Sequence, residues 1–149
     1  MAIGDLVQQA VHRASSVPRL WSAALEAGTG RRGAVEVLQI SQGARRAAAI
    51  HGAGVPGRRN AVRHFLWQAL LTARCGRDTA RSLAAAQESG TTRPKDSEVD
   101  QHNNVVGQEY GAAHAAELRA AAIPAALERL VPVALEKWDA GELVWIRQR

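Results

Sequence analysis

Apolar residues recur at three- and four-residue intervals along almost the whole chain, and the interruptions fall at glycine and proline. That period belongs to helices that each lay one face on a core. Asp5 suits the cap of a first helix carrying Leu6, Ala10 and Val11, and Pro18 opens a second short helix through Trp21 and Leu25 that Gly28 ends. Val35, Leu38, Ala47 and Ile50 mark a helix from Gly33 to Ile50, interrupted near Gly43 and followed by a glycine- and proline-rich loop from Gly52 to Gly57. Asn60 then reads as the N-cap of a helix from Ala61 to Arg74, closed by Cys75-Gly76. Asp78 or Thr79 starts the next, which stops at Ser89-Gly90, and Thr91 to Asp96 is a polar connection.

Ser97 is placed to cap a long helix from Glu98 to about Ala122. Ile123-Pro124 breaks it and restarts a last helix, which Pro132 kinks or divides. Leu143-Val144-Trp145-Ile146 is an apolar tail expected to dock as a strand or an extended arm. The pattern predicts an all-α fold: one compact domain over residues 1–149, built as a bundle of antiparallel helices, because connections this short favour neighbours running in opposite directions. Its motif-bearing core lies at about residues 58–122.

Two segments are too polar for core helices. In the Asn60 helix, Arg63, His64 and Trp67 lie close on the surface while Leu66, Leu70 and Leu71 face inward. In the Glu98 helix, Asp100, Asn103, Asn104 and Gly107 fall on one stripe that Gly111 continues, whereas His102 belongs to a second face. Asparagine competes for backbone hydrogen bonds and is seldom doubled inside a helix, so helix propensity did not choose Asn103-Asn104. Glycines at 107 and 111 would admit another backbone at short range. Glu88 ends the helix between the two segments, where the macrodipole disfavours a carboxylate, which points to a partner such as Arg63, His64 or a cation. Brought together, the two clusters form either a hydrogen-bonded packing network or a site.

The net charge of +5 is almost all arginine, since lysine occurs only at Lys95 and Lys137. Arginine doublets at 31–32, 45–46 and 58–59 could attract phosphate. They sit on separate segments with almost no aromatic residues for base stacking, which disfavours nucleic acid without excluding it. The single cysteine, Cys75, excludes an internal disulfide and a thiolate zinc cluster. Phosphate-loop and dinucleotide fingerprints are missing, so no organic cofactor is indicated. His64, Glu88, Asp100 and Asn104 would suffice for proton transfer or for one divalent cation, with too few histidines for zinc. No apolar run reaches the roughly 18 residues of a membrane span, and no secretory signal opens the chain. The expectation is a cytoplasmic protein, with a dedicated export route left open and no oligomeric state indicated.

Asn60-Ala61-Val62-Arg63-His64-Phe65-Leu66-Trp67, then Gln87-Glu88, then Asp100-Gln101-His102-Asn103-Asn104-Val105-Val106-Gly107 resembles a family of uncharacterised bacterial domains. Its members carry Ala-x-Arg-His-x-x-Trp, His-Glu and Asp-x-x-Asn-Asn-x-x-Gly, and occur at the C-terminal ends of polymorphic-toxin and Rhs-type proteins and as stand-alone proteins. The resemblance covers about a third of the chain and implies a common site of Arg63, His64, Trp67, Glu88, Asp100, Asn103 and Asn104 with Gly107 as packing glycine. This chain departs from it at Gln87, where the relatives have histidine.

The combined expectation is a small all-α enzyme, hydrolytic in type. His64, Asp100 and Glu88 are its catalytic candidates, and Arg63, Trp67, His102, Asn103 and Asn104 bind a small or anionic substrate. Two alternatives stand beside it: an accessory or binding protein that keeps the polar network as architecture, and a toxin-like effector.

Overall fold

The computed structural model describes residues 17–89 and 94–145. They form an all-α bundle, as the periodicity predicts: a helix over residues 17–26 (α1), then α2 (Gly30–His51), α3 (Arg58–Cys75), α4 (Arg77–Glu88), α5 (Pro94–Ala113), α6 (Ala115–Ala120) and α7 (Ile123–Asp139). The expected helix at Leu6 to Val11 and the tail residue Ile146 lie outside the described residues. No described helix is long and apolar enough to cross a membrane.

α3 is the axis of the molecule. It packs against α2, α4, α5, α6 and α7, and its residues are buried from Ala61 to Ala73 save for the half-buried Arg63. Fully burying a side chain such as Leu66, Leu70 or Leu71 contributes about 1.5–3 kcal/mol. A helix enclosed on every side must also bury its polar positions, which is why His64, Gln68 and Thr72 lie inside. α2 meets the core through Ala34, Val37, Ile40, Ala44 and Ala48, a three-and-four stripe.

Several boundaries differ from the sequence expectation. α2 runs through Gly43 unbroken, because that glycine serves packing: a Cβ there would stand 2.5 Å from the Leu127 Cδ1. Gly57, at φ +79°, is the N-cap of α3, so the helix begins at Arg58 and Asn60 lies within its first turn. α5 starts at Pro94 rather than after Ser97, proline being tolerated in a first turn, and the expected long helix is divided at His114. α7 continues through Pro132.

α3 and α5 form the most extensive pairing. Their bonded partners, Asn60 with Asp100, His64 with Asn104 and Gln68 with Gln108, are all separated by 40 residues. A constant difference, rather than a constant sum, means the two helices run parallel; α4 supplies the return between them. They approach closely because α5 offers glycine: a Cβ on Gly107 would lie 2.8 Å from the Phe65 carbonyl oxygen, and one on Gly111 would collide with that of Ala69.

Beyond α7 the chain continues as an arm, without strand pairing among the described residues. Leu143 is buried, and the Asn103 side chain holds Val144 at both ends, accepting from its N–H at 2.9 Å and donating to its carbonyl at 3.0 Å. Trp145 then covers Gly57 at the start of α3.

Candidate functional site

Successive positions of α3 and α5 four residues apart return to the same face, so the matched pairs stack as a polar ladder inside the bundle. At its outer end Asn60 Nδ2 donates to Asp100 Oδ1 at 2.8 Å, and Asn60 Oδ1 accepts from Arg63 Nη2 at 3.1 Å. The same Arg63 nitrogen lies 3.2 Å from His64 Nε2. Guanidinium only donates, so Nε2 is the acceptor and the imidazole proton resides on Nδ1. That nitrogen donates to Asn104 Oδ1 at 2.8 Å, within the buried interior. A continuous chain therefore runs from Asp100 through Asn60 and Arg63 to His64 and Asn104. One turn further in, Gln108 Nε2 donates to Gln68 Oε1 at 2.7 Å.

Burial, then the charge of Arg63, pushes the His64 imidazole down from 6.5 to about 3, against the upward pull of its bond with Asn104 and of the Glu88 carboxylate. It is neutral at physiological pH. Burial, then Arg45, lowers the Arg63 guanidinium to about 10, with Arg59 acting the same way and Asp100 opposing. Arg63 remains a cation in a neighbourhood already rich in arginine. Asp100 Oδ1 lies 3.4 Å from His64 Nε2, where it would face a proton acquired by that nitrogen.

His64 and Arg63 also line a small cavity of about 20 Å³, enough for about one water, together with Ser41 and Arg45 from α2, Trp67, and Gln87 from α4. In this lining the Trp67 indole Nε1, a donor, and Gln87 Oε1, an acceptor, lack hydrogen-bond partners among the described residues. A buried orphan costs about 1–3 kcal/mol, so the cavity favours a guest that both accepts and donates.

The structure brings Arg63, His64, Trp67, Asp100 and Asn104 together, and separates the others. Asn103 is committed to the Val144 backbone, which corrects its expected place beside Asn104; at three residues from Asp100 it falls on the flank of the stripe, and the C-terminal arm takes that flank. His102 lies on the outer face with Nε2 at 2.9 Å from the Glu142 carbonyl oxygen, away from the site. Glu88 acts on His64 only through its field, since its Oε2 accepts from Gln101 at 3.1 Å and it does not line the cavity. Asn60 is a ladder member rather than a cap, because α3 begins a turn earlier than the sequence suggested.

The sequence marked Arg45 within a doublet able to attract phosphate but gave no sign that it joins the motif residues; Ser41, also on α2 outside both motif segments, and the Gln68–Gln108 rung were not anticipated. The signal for that rung was present as an offset of 40 shared with the other two. Cys75 is half-buried outside the cavity and its thiol is pushed up by burial and then by Glu36, against nucleophilic use.

A divalent cation finds no cage here. No group of three or more His, Cys, Asp or Glu suitable for a metal occurs among the described residues. His64 also spends Nδ1 on Asn104 and turns Nε2 toward a guanidinium that would repel a cation. The surroundings suit an anion instead.

A protein-family model described as "Domain of unknown function (DUF6973)" matches residues 32–131. That span contains every ladder and cavity residue and leaves out α1 and the C-terminal arm. No curated protein and no solved structure matches the chain.

Proposed function

The chain belongs to the DUF6973 family, and from that premise we propose that it is a small hydrolase that holds a substrate oxyanion between Arg45 and Arg63 and uses His64 as its base. The observation carrying this reading is the pair of contacts on the imidazole. Asn104 accepts the Nδ1–H hydrogen bond, so the unprotonated Nε2 is the nitrogen that faces Arg63 and the arginine-lined cavity.

In the resting protein Arg63 occupies Nε2. A bound phosphate or carboxylate competes for the guanidinium, draws it from the imidazole and neutralises the second cause of the depressed basicity. Nε2 then takes a proton from water as the water oxygen bonds to the substrate's phosphorus or ester carbonyl carbon and the bond from that atom to the leaving oxygen breaks. The imidazolium faces Asp100 and returns its proton to the leaving group. Asn60 fixes Asp100 and Arg63 in this arrangement without touching substrate.

Hydrolysis of nitrophenyl phosphate and of nitrophenyl hemisuccinate, whose free carboxylate can meet the arginines, by the full chain tests the reading. His64→Ala is expected to lower kcat about 100- to 10,000-fold, the usual range for a general base, and Arg63→Gln to raise KM chiefly. Absence of turnover on both ester classes overturns the catalytic claim.

A second reading, an anion-binding accessory protein, is supported by the bonded, buried ladder and the low basicity of His64. It predicts stabilisation by phosphate without turnover of any ester. The likeness to toxin C-terminal domains adds an effector form of the hydrolase reading, in which expression inside bacteria arrests growth and His64→Ala relieves the arrest.

A further inference from the structure

The cavity beside His64 is too small for a whole substrate, but a larger groove adjoins it. α2 turns Leu38, Ser41, Gln42, Arg45, Arg46 and Ala49 to one side, following helical spacing, and with α1 and Arg59 of α3 this face lines a groove of about 380 Å³. That volume falls in the range of about 300–1,000 Å³ typical of small-molecule sites. Ser41 and Arg45 belong to both spaces, so the groove leads to the imidazole end.

The groove's chemistry is two-sided. Val17, Leu20, Leu38 and Ala49 give it an apolar wall, and Arg45, Arg46 and Arg59 give it positive charge, with no carboxylate among its lining residues. Arg45 and Arg59 both act on Arg63 through their fields, so the positive potential is continuous from groove to cavity. A bare inorganic anion would meet the positive charge and leave the apolar wall in water. A neutral apolar molecule would do the reverse. The buried Trp67 indole, 6% exposed and without a partner for its N–H, adds a donor at the cavity end for an oxyanion oxygen.

We infer that the ligand of this site is an amphiphilic oxyanion: a phosphate or carboxylate head at Arg45, Arg63 and Trp67, with an apolar body lying along the α1–α2 groove. This rests on the anion site proposed above and adds the class of molecule that fills it. Each methylene of an alkyl chain that leaves water strengthens binding by a factor of about four, so two or more strengthen it about tenfold or better.

Calorimetric titration of the full chain separates the two claims. Inorganic phosphate is compared with hexyl phosphate, and acetate with hexanoate, so that the stronger pair also identifies the head group. The alkylated member of at least one pair is expected to bind about tenfold or more tightly than its bare head. Ala49→Phe, which fills the groove, is expected to abolish that gain while leaving affinity for the bare anion unchanged. Equal affinity of both members in both pairs, or a gain that persists in Ala49→Phe, overturns the groove assignment and leaves the anion site standing. Failure of all four probes to bind overturns both.

Discussion

Asn104 Oδ1 lies 2.8 Å from His64 Nδ1 across the most extensive helix pairing among the described residues, and this bond decides which nitrogen of the imidazole carries the proton. Asn104→Ala removes the acceptor and leaves a buried N–H without a partner. Stability is expected to fall by about 1–3 kcal/mol, and nitrogen chemical shifts of His64 should report a mixture of tautomers. An unchanged melting temperature together with an unchanged tautomer would show the bond to be dispensable.

The low basicity of His64 has a direct consequence for acid stability. The unfolded imidazole takes a proton near 6.5 and the folded one only near 3, so unfolding takes up a proton throughout the interval between. The stability conferred by the neutral ring is fully present above about 6.5 and declines as pH falls toward 3, at up to about 1.4 kcal/mol per pH unit. Denaturant titrations of wild type and His64→Gln across this range are expected to differ in slope. A His64 ring signal that titrates normally near 6.5 in the folded protein would contradict the assignment.

Gly107 and Gly111 set the separation of α3 and α5, so adding a methyl group tests the packing. Gly111→Ala would press against the Ala69 carbonyl, a backbone atom that cannot rotate away, and is expected to cost about 1–3 kcal/mol. Gly107→Ala meets Phe65 and Gln68 less closely and should cost less. Chemical denaturation of the two variants gives the order.

Gln68 and Gln108 offer a double-mutant cycle. Either single change to leucine leaves one buried amide unpartnered and is expected to cost about 1–3 kcal/mol, whereas the double change removes both and should be milder than the sum. Additive losses would mean that the two amides do not act as a rung.

Gln87 Oε1 borders the cavity without a hydrogen-bond partner among the described residues. Gln87→His would supply a second titratable group beside His64, and turnover of nitrophenyl esters is expected to rise. Unchanged or lower turnover would mean that the amide is the functional residue in this chain.

Helix class and most helix locations follow from local information. Three-and-four spacing of Ala34, Val37, Ile40, Ala44 and Ala48, and glycines after Ala27 and Cys75, specify helices and stops through residues near in sequence. The polar character of positions 60–64 and 100–104 was equally legible, because asparagine and aspartate inside a helix conflict with propensity wherever they occur. Local rules misjudged Asn60, which suited a cap by type but lies inside the first turn of a helix that Gly57 caps.

What the amino-acid order determined by itself, then, is a helical chain with misplaced polarity and small residues on one stripe. Which of those polar groups meet was decided by the parallel docking of α3 on α5, a non-local choice of register that the glycines permit. Asn103 and Asn104 show the difference. Adjacent and identical, they have the same propensity, yet their side chains project about 100° apart around the helix. One therefore meets the imidazole of His64 and the other the backbone of Val144, according to which neighbour packs on each flank.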